Sequence, residues 1–146
     1  MQQAARTDTG LAAELRISVM RLRRRLAHER HPDNPLSLAA MAVLGSLYRN
    51  GEQTVGELAG GECVQPPSMT RTINCLEDGG YVSRRPHDTD GRQVLVVLTE
   101  HGRETVLADR ARRDVWLAQR LRELTPEERA VLRRAAPILD ALSQKD

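Results

Sequence analysis

The sequence predicts a mainly helical protein with one small β-hairpin. Apolar residues recur at three- and four-residue steps along most of the chain, which is the spacing of amphipathic helices. Between Tyr81 and Leu98 that spacing gives way to two short β-type segments around a charged turn. Aromatic residues make up only 2% of the 146 residues and Phe is absent, so Leu, Val, Ile, Met and Ala must fill the core. Such a core suits packed helices better than a β-sandwich.

The first helix is predicted from about Thr9 to Arg30, before the helix-breaking segment His31–Pro35. Its apolar stripe consists of Leu11, Leu15, Val19, Leu22 and Leu26. Its opposite face carries Arg16, Arg21, Arg23, Arg24 and Arg25. A run of arginines on one helix face is ordinarily a solvated surface, and we interpret it so.

Two further helices each begin at a residue that can cap the first turn. Ser37 can cap the second helix, which ends before Gly51. Thr54 and Glu57 form a T-x-x-E capping box for a short third helix, which Gly60–Gly61 closes.

The fourth helix is predicted from about Gln65 to Asp78, because Pro66 and Pro67 fit only the first turn of a helix and Gly79–Gly80 ends it. On a helical wheel, Met69, Ile73 and Leu76 share one face, which belongs to the core. The opposite face and its flanks carry Pro67, Ser68, Thr70, Arg71, Asn74, Cys75 and Asp78. An amide, hydroxyls and an arginine are side chains that contact phosphates and base edges in a DNA major groove, although many surface helices are equally polar.

Two strands and a long helix follow. The strands are predicted at Tyr81–Arg85 and Arg92–Leu98, the second as a run of Val and Leu. Thr99 can cap a fifth helix that reaches about Arg122.

The last helix begins at a second capping box, Thr125–Glu128, with Pro at the first helical position. Pro137 inside the helix should bend it or end its regular part. Its apolar residues are Val131, Leu132, Ala135, Ile138, Leu139 and Leu142. Neither this stripe nor that of the first helix has an obvious partner within a compact domain, so we predict that they meet across a twofold axis.

The order of the middle elements is that of a winged helix-turn-helix. A short capped helix, a glycine turn and a polar-faced helix are followed at once by an arginine-tipped hairpin. At the hairpin tip Asp90 precedes Arg92 by two residues, where a charge-assisted bond can orient the arginine for a narrow minor groove. A simple solvated turn could have the same composition.

On these residues the chain resembles the MarR family of winged-helix transcriptional regulators over nearly its whole length. The matching segments are Pro66–Arg71, Leu76–Arg84, Asp88–Arg92 and Leu98–Gly102. The resemblance implies an obligate dimer, interwoven through the first and last two helices and shaped as a triangle. We expect one domain over residues 1–146, with its winged part at about 36–98 and its dimerisation helices at about 9–30 and 100–146.

The resemblance also implies how DNA is bound. The fourth helix would lie in the major groove with Ser68, Thr70 and Arg71 at contact positions, and Arg92 would enter the minor groove, held by Asp90. Together with the helix face and the hairpin, this nominates nine DNA-contact residues. They are Gln65, Pro67, Ser68, Thr70, Arg71, Asn74, Arg84, Asp90 and Arg92.

Members of this family commonly release DNA when a small aromatic acid binds. The resemblance therefore implies a cleft for a small aromatic or phenolic effector, formed by helices one, two and five, with Arg16, Met20 and Met41 as lining residues. Ordinary packing by the two methionines is the alternative. The predicted partners are double-stranded DNA, a second copy of the chain and such an effector, with no cofactor, no metal and no membrane.

Two positions depart from the family pattern. Cys75 stands where many members have a basic or polar residue, which would alter base preference, and Gln65 is a poor cap where Ser or Thr is usual. Cys63 and Cys75 do not match the sensor positions of the redox-responsive members, so we predict that both are structural or neutral.

The sequence lacks the residue patterns that are typical of several other classes of protein. The chain has 22 basic and 20 acidic residues, a net charge of +2 that by itself gives no sign of a nucleic-acid partner. No apolar run approaches the ~20 residues of a membrane span, and the first residues lack the apolar segment of a signal peptide, which predicts a cytoplasmic protein. The four histidines are scattered and interpreted as solvated surface, and no nucleophile–base pair or ligand cluster occurs. We predict a transcriptional repressor and not an enzyme, with a winged-helix protein-interaction module lacking its own operator as the alternative.

Overall fold

Residues 7–145, the part of the chain that this computed structural model describes, form six helices and a small antiparallel sheet. The helices are α1 (Asp8–Ala27), α2 (Leu38–Asn50), α3 (Val55–Gly61), α4 (Pro66–Asp78), α5 (Glu100–Arg122) and α6 (Pro126–Ser143). The strands are β1 (Gln53–Thr54), β2 (Val82–Pro86) and β3 (Val94–Leu98). The predicted fold class is confirmed, while residues 1–6 and 146 of the expected domain lie outside the described part.

Most helices begin where their capping residues predict. The hydroxyls of Ser37 and Thr99 each accept the backbone N–H three residues further on, at 3.1 Å. At the start of α6 the capping box is complete, because Thr125 accepts from the Glu128 N–H at 3.1 Å and donates its own N–H to the Glu128 carboxylate at 2.9 Å. The box predicted for α3 is half made: Thr54 accepts from Glu57, and within residues 7–145 the Glu57 carboxylate makes no return bond.

The first helix differs from its predicted bounds at both ends. It begins at Asp8, capped by Thr7, and it ends at Ala27 instead of about Arg30. The reason for the early end is tertiary: the Arg30 guanidinium donates to the Leu36 carbonyl, and the His31 N–H donates to the carboxylate of Asp109 in α5 at 3.2 Å. The chain therefore leaves the helix to contact α5.

The last helix does not end at Pro137, as one prediction allowed. It continues through the proline to Ser143, although the proline has no N–H to donate to the preceding turn.

The sheet has the strand order β1-β3-β2, with both pairs antiparallel. The hairpin register runs from Val82 opposite Leu98 to Pro86 opposite Val94. The two hairpin strands start one and two residues later than predicted, respectively. Strand β1 was not predicted, because two residues are too few to show an alternating pattern.

The core lies between α2, α3, α4 and the sheet. Its largest fully buried apolar side chains are Leu44, Leu58, Ile73, Leu76, Val43 and Val96. By contrast, α1 and α6 contain no buried residue, so their apolar faces are open in the single chain. No helix in residues 7–145 is long and apolar enough to cross a bilayer.

Candidate nucleic-acid interface

The turn between α3 and α4 has a cysteine where a glycine would be expected. Cys63 has φ 54°, and the flanking bonds are those of a Schellman motif: the Val64 N–H donates to the Ala59 carbonyl at 3.0 Å and the Cys63 N–H to Gly60 at 3.3 Å. The left-handed residue is thus not one of the two glycines predicted to close α3. Gln65 then precedes α4 without a side-chain capping bond, which agrees with its prediction as a poor cap.

The two faces of α4 are as predicted. Met69, Ile73 and Leu76 are 2%, 0% and 0% exposed and anchor the helix in the core. The outer face is solvent-exposed along its length and consists of Gln65, Pro66, Pro67, Ser68, Thr70, Arg71, Asn74, Cys75 and Asp78. Six of the nine nominated DNA-contact residues lie on this face, together with the exposed, unbonded thiol of Cys75.

The polar side chains of this face differ in whether they already form hydrogen bonds within the protein. The Thr70 hydroxyl donates to the Pro66 carbonyl at 3.0 Å, so its oxygen remains available only as an acceptor. Within the described residues, the Arg71 guanidinium takes part in no ion pair or hydrogen bond. All of its donors are therefore open to a ligand.

The end of α4 is held tightly against α5. Gly80 adopts φ 79°, and the Tyr81 N–H donates to the Leu76 carbonyl at 2.9 Å in a second Schellman motif. The Thr99 hydroxyl donates to the Gly80 carbonyl at 2.6 Å. At Gly102 any Cβ would clash with the Tyr81 carbonyl, so a glycine is required for this close approach. These contacts hold the connection that follows α4 against the start of α5.

Arg84, a nominated DNA contact, bridges β2 and α4. Its Nη1 donates to Glu77 Oε1 at 2.7 Å and its Nη2 donates to Asn74 Oδ1 at 2.6 Å. The side chain is 28% exposed, so its plane is set largely by protein groups. This bridge, which the sequence did not reveal, ties the hairpin to the outer face of the helix.

Arg85, the next residue of β2, is held by two carboxylates on the other side of the hairpin. It pairs with Glu52, just before β1, and with Asp88 at 2.9 Å. The hydrogen bond to Glu52, followed by that to Asp88, raises the pKa of Arg85 above its usual value. The tip end of the hairpin ladder is thus fastened to the rest of the sheet by β1 and by the Glu52 ion pair.

The tip of the hairpin is organised by His87 and Asp90. The His87 Nδ1 accepts the backbone N–H groups of Thr89 at 3.2 Å and Asp90 at 3.1 Å. The prediction of solvated histidines therefore fails for half-buried His87, whose acceptor role depends on the turn conformation and leaves no trace in sequence.

The contact between Asp90 and Arg92 differs from the predicted one. Asp90 Oδ1 accepts the backbone N–H of Arg92 at 3.1 Å, and no ion pair joins the two side chains in the described part of the chain. An aspartate two residues before an N–H commonly closes such a turn with its own carboxylate. Asp90 thus shapes the tip, while the exposed Arg92 side chain is left without a protein partner among residues 7–145.

The three residues predicted to line an effector cleft are not gathered in either described cavity. Arg16 and Met20 are exposed on α1, whereas Met41, on α2, is 8% exposed and packs in the hydrophobic core. One cavity, of about 360 Å³, lies beside Tyr48 and Arg103, and another, of about 400 Å³, lies beside Trp116. For Met41 the alternative of ordinary packing fits the structure.

A polar-faced helix that follows a tight turn, with an ordered hairpin fastened beside it, defines a winged helix-turn-helix DNA-binding protein. Sequence comparison agrees, since the family model "MarR family" matches residues 36–94. An HTH-type transcriptional regulator of Mycobacterium bovis is 48% identical over 136 residues, 93% of this chain and 94% of that one. The chain belongs to the MarR family of transcriptional regulators, which is not a family of enzymes.

Solved structures show the same fold. A transcriptional regulator of Pseudomonas aeruginosa has a TM-score of 0.85 and 34% identity, covering 95% of this chain and 96% of that one. A MarR family protein of Bacillus stearothermophilus has a TM-score of 0.77 and 25% identity, covering 92% and 94%. BpsR of Bordetella bronchiseptica, with a TM-score of 0.62 and 21% identity over 90% of this chain and 99% of that one, shares the fold alone.

Proposed function

We propose that this regulator represses transcription as a homodimer that occupies a pseudo-palindromic operator. The observation that carries the proposal is which arginines pair with carboxylates of the protein and which do not. Arg84 and Arg85 are engaged by carboxylates, whereas Arg71 on α4 and Arg92 at the hairpin tip are exposed without protein partners in the described residues. A protein that binds DNA through a helix and a wing needs unengaged cations at those two places.

In this proposal α4 enters the major groove and the hairpin reaches the adjacent minor groove. Ser68, Thr70 and Arg71 would contact phosphates and base edges. Gln65 and Pro67, at the start of the helix, would lie close to the sugar–phosphate backbone of the DNA. Arg92 would insert where a narrow minor groove concentrates negative potential.

Dimerisation through the terminal helices is supported by their exposed apolar side chains. Met20 on α1, Val115 on α5 and Ile138 on α6 are 53%, 58% and 62% exposed. Burying apolar surface stabilises an association by about 25 cal/mol per Å² before the costs of association, so a second copy is the natural partner for these faces. The family model matches residues 36–94, which supports a winged part at about 36–98, and the exposed apolar side chains support assigning the terminal helices to dimerisation.

Regulation by a small aromatic or phenolic molecule is the finer part of the proposal. BpsR, which shares the fold, has its DNA binding regulated by 6-hydroxynicotinic acid. A cleft completed by the second subunit would gather the exposed Arg16 and Met20 of α1 more readily than the single chain does. Titrating salicylate or 6-hydroxynicotinate into the DNA complex and following fluorescence anisotropy tests this part separately.

The main experiment is recovery of bound DNA from the genome, followed by affinity measurements on the recovered sites. We expect a two-half-site motif, an affinity that falls steeply with salt, and loss of transcription in vitro when the site overlaps a promoter. Salt-sensitive binding with no sequence preference would favour the alternative, a winged-helix module for protein interaction. Increased transcription from the site would show an activator instead.

A further inference from the structure

We propose that Arg84 determines which bases Asn74 can recognise, by holding the amide oxygen and leaving only the amide nitrogen for DNA. The inference rests on the proposed placement of α4 in the major groove. It assigns Arg84 as a positioning residue and Asn74 as the residue that contacts the base.

The bridge fixes the orientation of the Asn74 amide. Asn74 and Glu77 lie three residues apart on α4, and Arg84 reaches both from β2 with separate nitrogens, at 2.6 and 2.7 Å. Two anchored nitrogens fix the plane of a guanidinium group. Because a guanidinium has donors and no acceptor, the amide atom facing it must be the oxygen, since a flipped amide would set donor against donor.

This orientation has a consequence for base recognition. An asparagine that reads adenine uses its oxygen to accept from the N6 amino group and its nitrogen to donate to N7. Here one lone pair of Oδ1 is taken by a charge-assisted bond, and the adjacent cation opposes the approach of a second donor. The outward Nδ2 group is matched by acceptors, of which guanine presents two in the major groove, O6 and N7, whereas adenine presents one, N7, beside its N6 donor. Asn74 should therefore favour a G·C pair over an A·T pair.

The neighbouring Arg85 provides a matched control. It lies on the same strand and also binds carboxylates, but its partners Glu52 and Asp88 are not residues of α4. Arg85→Met removes the same charge as Arg84→Met and leaves the contact to Asn74 in place.

The experiment selects bound sequences from a library of random duplexes with wild type and with Asn74→Ala. The base pair whose preference disappears in Asn74→Ala is the one that Asn74 reads. Affinities for all four bases at that pair are then measured for wild type, Arg84→Met and Arg85→Met, after thermal unfolding confirms that each is folded. Arg84→Thr, which also removes the guanidinium and suits a β-strand, replaces Arg84→Met if the latter does not fold.

We expect wild type to prefer a G·C pair over an A·T pair at this position by about fivefold or more. Arg84→Met should gain relative affinity for adenine, and replacing that adenine by 2-aminopurine, which lacks the N6 amino group, should abolish the gain. Arg85→Met should change all four affinities by the same factor.

Two results overturn the inference: a wild-type preference for an A·T pair at this position, or an unchanged base order in Arg84→Met or its replacement. If Asn74→Ala binds every selected duplex as wild type does, the placement of this face of α4 in the major groove fails instead.

Discussion

At the scale of single residues, the distribution of acidic partners separates arginines that organise the protein from those open to DNA. Glu77 and Glu52 occupy Arg84 and Arg85, which fastens the hairpin on two sides. Arg71 lies 13 residues before Arg84 and Arg92 lies seven residues after Arg85, and both remain exposed. The net charge of +2 does not reveal this division, because it depends on which side chains the fold brings together.

The first prediction concerns Arg71. Arg71→Ala should weaken binding to the operator by about 1–3 kcal/mol per contacted half-site, because a groove contact is lost. The melting temperature should barely change, since the residue points away from the buried face of α4. Anisotropy titrations and thermal unfolding measure the two effects, with Arg49→Ala, an exposed arginine on α2, as the control. A melting temperature that falls as sharply as the affinity would show that the face is wrongly assigned.

The second prediction concerns Asp90, whose carboxylate binds the Arg92 N–H. Electrostatics alone predicts that removing an acid beside DNA tightens binding, whereas loss of the turn contact predicts weaker binding. We expect Asp90→Ala to weaken operator binding by about 0.5–1.5 kcal/mol, the net value of one hydrogen bond. Asp90→Asn should bind at least as tightly as wild type, because an asparagine closes the same turn without the charge.

The comparison of these two variants is decisive for the role of Asp90. If Asp90→Ala binds the operator more tightly than wild type, the residue is only a repulsive surface charge and the turn contact contributes nothing to affinity.

At the scale of elements, helix starts could be predicted from sequence and several other boundaries could not. Ser37, Thr99 and Thr125 act on N–H groups three residues away, so the information is local. The end of α1 and the existence of β1 depend on contacts with α5 and β3, which are distant in sequence. The contact of His87 and the bridge of Arg84 are likewise formed only when the turn and the sheet are in place.

The element-scale prediction concerns Asp109, which joins the α1–α2 connection to α5. This carboxylate is 0% exposed, accepts from the His31 N–H at 3.2 Å and from Asn34 Nδ2 at 2.9 Å, and lies 4.0 Å from the Arg30 Nε. Asp109→Ala leaves those part-buried donors without their acceptor, so the free energy of unfolding should fall by about 3 kcal/mol. Urea unfolding measures it.

Two matched variants separate this contact from a general effect on the helix. Asp114→Ala removes an exposed acid from the same helix and should change stability by less than about 0.5 kcal/mol. Asp109→Asn keeps an acceptor of the same shape, so its free energy of unfolding should lie between those of Asp109→Ala and Asp114→Ala. Equal stability of Asp109→Ala and Asp114→Ala would contradict the structural role of the buried carboxylate.

At the scale of the whole molecule, the apolar stripes of the first and last helices could be predicted from sequence, because helical spacing is a local pattern. The structure shows that these stripes remain exposed in the single folded chain. The exposures of Leu11 and Leu142, 49% and 52%, far exceed those of the core leucines. The buried core of the single chain therefore lies around α2, α3, α4 and the sheet, and the proposed dimer would cover its outer helices. The geometry of that dimer would decide how far apart two copies of α4 stand, and hence which spacing of half-sites is bound.

The last prediction tests this arrangement with two substitutions of equal character. Ile138 on α6 and Leu38 at the start of α2 are similarly exposed, at 62% and 54%. Ile138→Glu places a charge in the proposed interface and should convert a dimer to the 16.3 kDa monomer in light scattering at micromolar concentration. Leu38→Glu should leave the dimer intact, because the first turn of a helix tolerates an acidic residue.

Since a monomer contacts one half-site, the slope of log affinity against log salt should roughly halve for Ile138→Glu and stay unchanged for Leu38→Glu. A wild-type protein that scatters as a stable monomer, or an Ile138→Glu variant that remains a dimer with full affinity, would place the interface elsewhere or remove it.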